Sequence, residues 1–146
     1  MKKCTIKIEP GNDTQDVTVK YNDMKSHSIS ASRMANVIKA SETAIGQSKA
    51  VETGRVLFSV LDGSGGRLRA EMEKADEAGE VLALYLDLPP VYDGLPFELL
   101  FDNGFLLQDE DLYLFRLADT KKRKYKVKSD ALSILFMACS PEGQTA

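Results

Sequence analysis

Cys4, Ile6 and Ile8 alternate with Thr5, Lys7 and Glu9, and Val17, Val19 and Tyr21 alternate with Thr18 and Lys20. A period of two marks a half-buried strand, because successive side chains leave opposite faces of the pleat. Between the runs, Pro10-Gly11-Asn12-Asp13 joins a fixed φ to a residue that tolerates positive φ, which is turn chemistry. The expectation is an antiparallel hairpin within residues 1–25. From Ser30 or Ser32, either able to accept a bond from a first-turn amide, the period changes. Met34, Val37, Ile38, Ala44 and Ile45 recur at three- and four-residue spacing and predict an amphipathic helix to about residue 49. A second helix is expected over residues 51–61, stopped by Asp62-Gly63-Ser64-Gly65-Gly66, and a third over 67–78, ended by Gly79, where left-handed backbone carries no steric cost.

Residues 81–86 form a nearly continuous apolar run closed by Asp87-Leu88-Pro89-Pro90, the pattern of a strand buried on both faces. A short helix at Pro96 and a strand over 112–117 follow, then a basic linker, then an apolar strand over 131–139 ended by Ser140-Pro141. The fold class predicted is α+β. It comprises a β-hairpin (1–25), a helical region (30–79), a strand-helix-strand segment (80–119), a linker (120–130) and a strand (131–140), as a single domain or a fragment of one. Its 146 residues suffice for one core.

Composition narrows the function classes. Hydrophobic residues at 43% and charged residues at 28% exclude a disordered or collagenous chain. The alternating N-terminus lacks the apolar run of a signal peptide, and no window reaches the roughly 18 to 20 apolar residues of a membrane span, so a cytoplasmic location is expected. Cys4 and Cys139 lie in apolar runs and are expected as reduced, buried thiols. A net charge of −3 gives no bulk attraction to nucleic acid. Residues 121–128 hold six positive charges around Tyr125, which could neutralise phosphate and stack a base; the reading adopted is a solvated linker whose lysines discourage edge pairing. The glycine-rich 62–66 stretch lacks a Gly-Lys-Ser/Thr ending and follows a helix, so it reads as a connection and not a phosphate loop. Asp109, Glu110 and Asp111 are consecutive and read as a turn. No metal or cofactor is expected.

The densest signal is Leu95-Pro96-Phe97-Glu98-Leu99-Leu100-Phe101-Asp102, followed by Gly104-Phe105-Leu106 and by Leu114-Phe115-Arg116. Pro96 suits a first helical turn, Glu98 would complement the helix dipole, and the apolar residues demand a core. The segment resembles the lead into the caspase-like domain of the CHAT family. Glu52-Thr53-Gly54-Arg55-Val56-Leu57-Phe58 is similar to that family's glycine-containing helix, 82–90 to its strand with trailing prolines, and 132–141 to the first strand of its protease sheet. Phe97 stands where the family usually has Trp. The resemblance covers about residues 50–143 and implies a caspase-like cysteine peptidase, in which a His-Gly histidine and a later Ala-Cys cysteine form the dyad.

Both elements would follow residue 141, so no catalytic residue is assigned, and the structural motif is Leu95, Pro96, Phe97, Glu98, Leu99, Leu100 and Arg116. Met137-Ala138-Cys139 superficially resembles the nucleophile strand, but no His-Gly precedes it, and His27 is expected in a solvated loop. The chain is thus expected to be the non-catalytic N-terminal portion of a CHAT-type peptidase of bacterial defence or signalling. Its expected partners are the rest of its own polypeptide, with a possible tetratricopeptide-repeat region, or a protein covering the open sheet. The alternative is a non-enzymatic protein-interaction module using that sheet.

Overall fold

The computed structural model describes residues 1–10, 16–22, 24–43, 46–108 and 110–117. The basic linker, the strand predicted at 131–140 and Cys139 lie outside the described residues. The protein is α+β, and its described residues form a five-stranded mixed sheet with three helices. Its middle strand comes first in sequence. β1 (Lys2–Pro10) pairs antiparallel with β2 (Val17–Tyr21), which pairs antiparallel with β3 (Ser26–Ile29). On its other side β1 runs parallel to β4 (Leu82–Asp87), and β4 parallel to β5 (Leu112–Leu117), giving the order β3-β2-β1-β4-β5.

The register sets Cys4 beside Leu84, and Ile6 between Leu86 and Tyr21, so the apolar phases of three strands share one face. Helices α1 (Ala31–Glu42), α2 (Gln47–Asp62) and α3 (Arg67–Glu77) bury Met34, Val37, Leu57, Leu61 and Leu68 in the same core. The Tyr21 hydroxyl reaches from this face to donate to the Leu61 carbonyl at 2.7 Å, and its burial pushes the phenol pKa far up. Lys3, Thr5, Lys7, Tyr85, Tyr113 and Phe115 leave the opposite face, where no helix packs among the described residues.

The predicted hairpin is present and extends into a third strand. His27 is therefore not in a solvated loop: it sits in β3 opposite Val19, half-buried, with Nε2 2.9 Å from the Val60 carbonyl oxygen. Its ring fills the space a side chain at Gly63 would need. The helix predicted from residue 30 to about 49 is shorter. Ser30 caps it, its Oγ accepting from the Arg33 amide at 3.3 Å, but the helix ends at Glu42. α2 then begins at Gln47, ahead of the predicted residue 51, after Gly46 with φ +92°.

The α2–α3 connection is a built turn. Gly63 and Gly66 take positive φ, and Asp62, nearly buried, accepts from the Arg69 amide at 2.9 Å. Asp62 thereby satisfies a first-turn donor of α3 that its own N-cap, Gly66, cannot. Asp62→Ala is expected to cost about 1 to 2 kcal/mol, read as a lower midpoint with unchanged slope in urea denaturation.

Candidate functional site

Between β4 and β5 the chain makes a 24-residue excursion over positions 88–111, turning at three short 3-10 segments, Pro90–Tyr92, Phe97–Leu99 and Leu106–Gln108. The helix expected at Pro96 is one such turn. Pro96 stands just before it with ψ 67°, and three residues give no macrodipole for Glu98 to complement. The turn persists because its side chains are buried: Phe97 and Leu100 are wholly inaccessible and Leu95 nearly so. Leu99 and Pro96 are half-buried at its rim.

The turn rests on α2 at Gly54. A Cβ there would lie 1.9 Å from the Leu99 carbonyl oxygen and 2.9 Å from the Phe101 Cβ, so the approach exists only because residue 54 has no side chain. The Phe101 amide donates to the Gly54 carbonyl at 3.3 Å. Phe101 then meets Phe105 edge-on at 5.2 Å, with the Arg55 guanidinium 5.1 Å from its ring centre. Below, Arg69 holds Asp102 through Nε and Nη2 at 3.1 to 3.2 Å, joining the excursion to α3.

Arg116 closes the unit from β5. Its Nε and Nη2 donate to the two Glu98 carboxylate oxygens, each at 2.8 Å, the fork-on-fork geometry that suits guanidinium and carboxylate. Nη2 also reaches the Leu95 carbonyl at 2.6 Å, and Nη1 the Asp93 carbonyl. Arg116 hydrogen bonds hold the Glu98 carboxyl below the usual glutamate range, against a smaller opposing effect of burial. Leu95, Pro96, Phe97, Glu98, Leu99, Leu100 and Arg116 therefore converge on one structural unit, with Gly54 beneath it. Gly54 had a sequence signal, since glycine inside a helix is unfavourable unless something needs the space. The Arg69–Asp102 link had none.

Among the described residues the one cysteine and the one histidine do not meet. Cys4 is buried in β1, and His27 lies in β3 at the far edge of the sheet. No group of His, Cys, Asp and Glu among the described residues could hold a metal ion. No helix of the described residues is long and apolar enough to cross a membrane. No protein-family model matches the chain, and neither curated proteins nor solved structures yield a match.

Three substitutions test the unit. Gly54→Ala would raise helix propensity by about 1 kcal/mol, yet overpacking against a backbone carbonyl costs about 1 to 3 kcal/mol, so a lower melting temperature is expected. Phe97→Ala is expected to cost about 3 to 5 kcal/mol in chemical denaturation through lost burial and a cavity.

Glu98→Gln tests the pH dependence. Because the folded-state pKa of Glu98 is depressed, its stabilisation is complete above the unfolded-state value of about 4.3 and is lost as pH falls through the folded value. Wild type and Glu98→Gln should thus differ in melting temperature at neutral pH and converge in acid. The difference should be small, because Glu98 is half-exposed.

Proposed function

We propose that this chain is the N-terminal, non-catalytic portion of a CHAT-type caspase-like cysteine peptidase that acts on proteins in bacterial defence or signalling. One observation carries the reading. The residues on which the sequence resemblance rests are far apart in the chain, and they meet: Gly54 of α2, the 95–100 turn and Arg116 of β5 share one packed unit. Its role is mechanical. It fixes β5, the edge strand of the described sheet, against α2, so that a following parallel strand would find a rigid template. Residues 131–139, apolar at nearly every position, are the segment proposed to take that place, and the peptidase dyad would lie beyond them.

A second reading, a protein-interaction module without peptidase activity, draws on the helix-free face of the sheet. Tyr85 and Phe115 stack there at 4.9 Å, and Tyr113, Phe115 and Leu117 are 50%, 43% and 41% exposed. Exposed aromatic side chains on adjoining strands suit a protein contact.

Reading the gene past codon 146 separates the two, a His-Gly pair followed by an Ala-Cys strand being expected for the peptidase. Purified residues 1–146 are expected to hydrolyse no peptide, since catalysis needs a positioned nucleophile and base. Hydrolysis by this chain that Cys139→Ala abolishes at unchanged melting temperature would contradict the proposal.

A further inference from the structure

Three Asx-Gly pairs lie among the described residues, Asp62-Gly63, Asp93-Gly94 and Asn103-Gly104. Such a pair can close on itself: the glycine amide nitrogen attacks the side-chain carbonyl of the residue before it, and no Cβ on the glycine obstructs the five-membered ring. The structure separates the three. Asp62 is buried and accepts from the Arg69 amide, and the Gly63 amide donates to the Ser59 carbonyl at 3.1 Å. Asp93 is exposed, but its carboxylate, ionised at neutral pH, resists a nucleophile and has no amine to release. Asn103 alone of the three brings a primary amide, and it stands at the tip of the excursion.

Asn103 has φ +62°, a left-handed conformation that asparagine tolerates better than most residues. Asn103 and Gly104 are both exposed, and no hydrogen bond among the described residues engages the Asn103 side chain or the Gly104 amide. A Cβ at Gly104 would meet nothing within 4 Å, so solvent and the approaching side chain have room. The flanks are fixed. Phe101 pairs with Phe105 as a short antiparallel bridge, the Asp102 amide donating to the Gly104 carbonyl at 3.0 Å and the Leu106 amide to the Leu100 carbonyl at 2.9 Å. Arg69 in turn clamps Asp102. A reactive pair is thus held at the point where the excursion is tied to α3.

We propose that Asn103 is a site of spontaneous deamidation, with water as the only co-reactant, and that the isoaspartyl product loosens the excursion from α3. The Gly104 nitrogen bonds to Asn103 Cγ and gives its proton to solvent base. The Cγ–Nδ2 bond breaks, and the amine takes up a proton from water and leaves as ammonia, closing a succinimide. Water then opens the ring at either carbonyl. Opening at Cγ gives aspartate, whereas opening at the main-chain carbonyl gives isoaspartate, in which the chain runs through Cβ and Cγ and is one carbon longer. That added carbon falls inside the 101–105 bridge and shifts the Asp102–Gly104 hydrogen bond out of register. The inference is independent of whether a peptidase domain follows.

Incubation of the full chain in native buffer at physiological temperature tests it, with peptide mass mapping and isoaspartyl methylation as readouts. Residue 103 should gain one mass unit and become a methyl acceptor, at a rate within roughly tenfold of the urea-unfolded chain, because the native turn has no hydrogen bond at this pair to open first. Asp62 and Asp93 should not become methyl acceptors over the same period. Gly104→Ala should slow the reaction roughly tenfold or more by crowding the ring, yet leave the melting temperature unchanged, since the added methyl meets nothing. The isoaspartyl fraction should melt below the unmodified chain, whereas Asn103→Asp, with its backbone intact, should melt close to wild type. An Asn103 that survives in the native chain while the unfolded chain loses it would overturn the proposal, as would equal rates in wild type and Gly104→Ala. An isoaspartyl fraction no less stable than Asn103→Asp would refute the loosening of the excursion.

Discussion

Two backbone segments can touch only where neither carries a side chain between them, and α2 meets the 95–101 turn in this way at Gly54. The contact sets the depth at which the excursion lies. At that depth Phe97 and Leu100 lose all solvent contact, and the Phe101 amide reaches the Gly54 carbonyl. A methyl group at residue 54 would lift the turn, uncover the Phe97 ring and draw Glu98 away from Arg116. The energies are unequal. Burial of Phe97 is worth several kcal/mol, about 3 to 5 by truncation, whereas a half-exposed ion pair is worth about 1 kcal/mol or less. Hydrophobic packing therefore holds the turn, and Arg116 orients it.

The sheet divides its labour by face. One face is sealed by helices, and its strand residues are almost wholly inaccessible. The other changes character across its width. On β1 and β2, Glu9 sits between Lys7 and Lys20, and its hydrogen bonds to both, that to Lys20 foremost, hold its pKa at about 2. On β4 and β5 the same face carries Tyr85, Tyr113, Phe115 and Leu117. The ionic half tolerates water, while the aromatic half adjoins the β5 edge, where both proposed roles would bring further protein.

Local pattern revealed the elements but not their pairing. The period of two in residues 4–9 and 17–21 predicts the hairpin, because alternation is a property of each strand alone. Nothing in either strand shows that β1 continues the sheet to β4, a pairing some eighty residues away. β3 escaped because Ser26-His27-Ser28 has too little apolar character to display alternation over four residues. Ala44 and Ile45 fit the spacing of the first helix, yet that helix ends at Glu42 with Thr43 as its cap, and Gly46, at φ +92°, caps the start of α2. At the candidate site, burial of Phe97 follows from the density of apolar residues around it. The Glu98 partner does not, since Arg116 is brought back by strand pairing and not by helical spacing.

The 95–101 turn, α2 around Gly54 and β5 behave as one structural unit and not as an exposed functional loop on a separate scaffold. Native-state hydrogen exchange of the Leu99, Leu100, Phe101 and Leu106 amides measures this directly, since each is bonded within the unit. They are expected to exchange together with the β4 and β5 amides, at the free energy of global unfolding and with the same denaturant dependence. Exchange of these four amides through a low-energy opening insensitive to denaturant, while the strands remain protected, would contradict it.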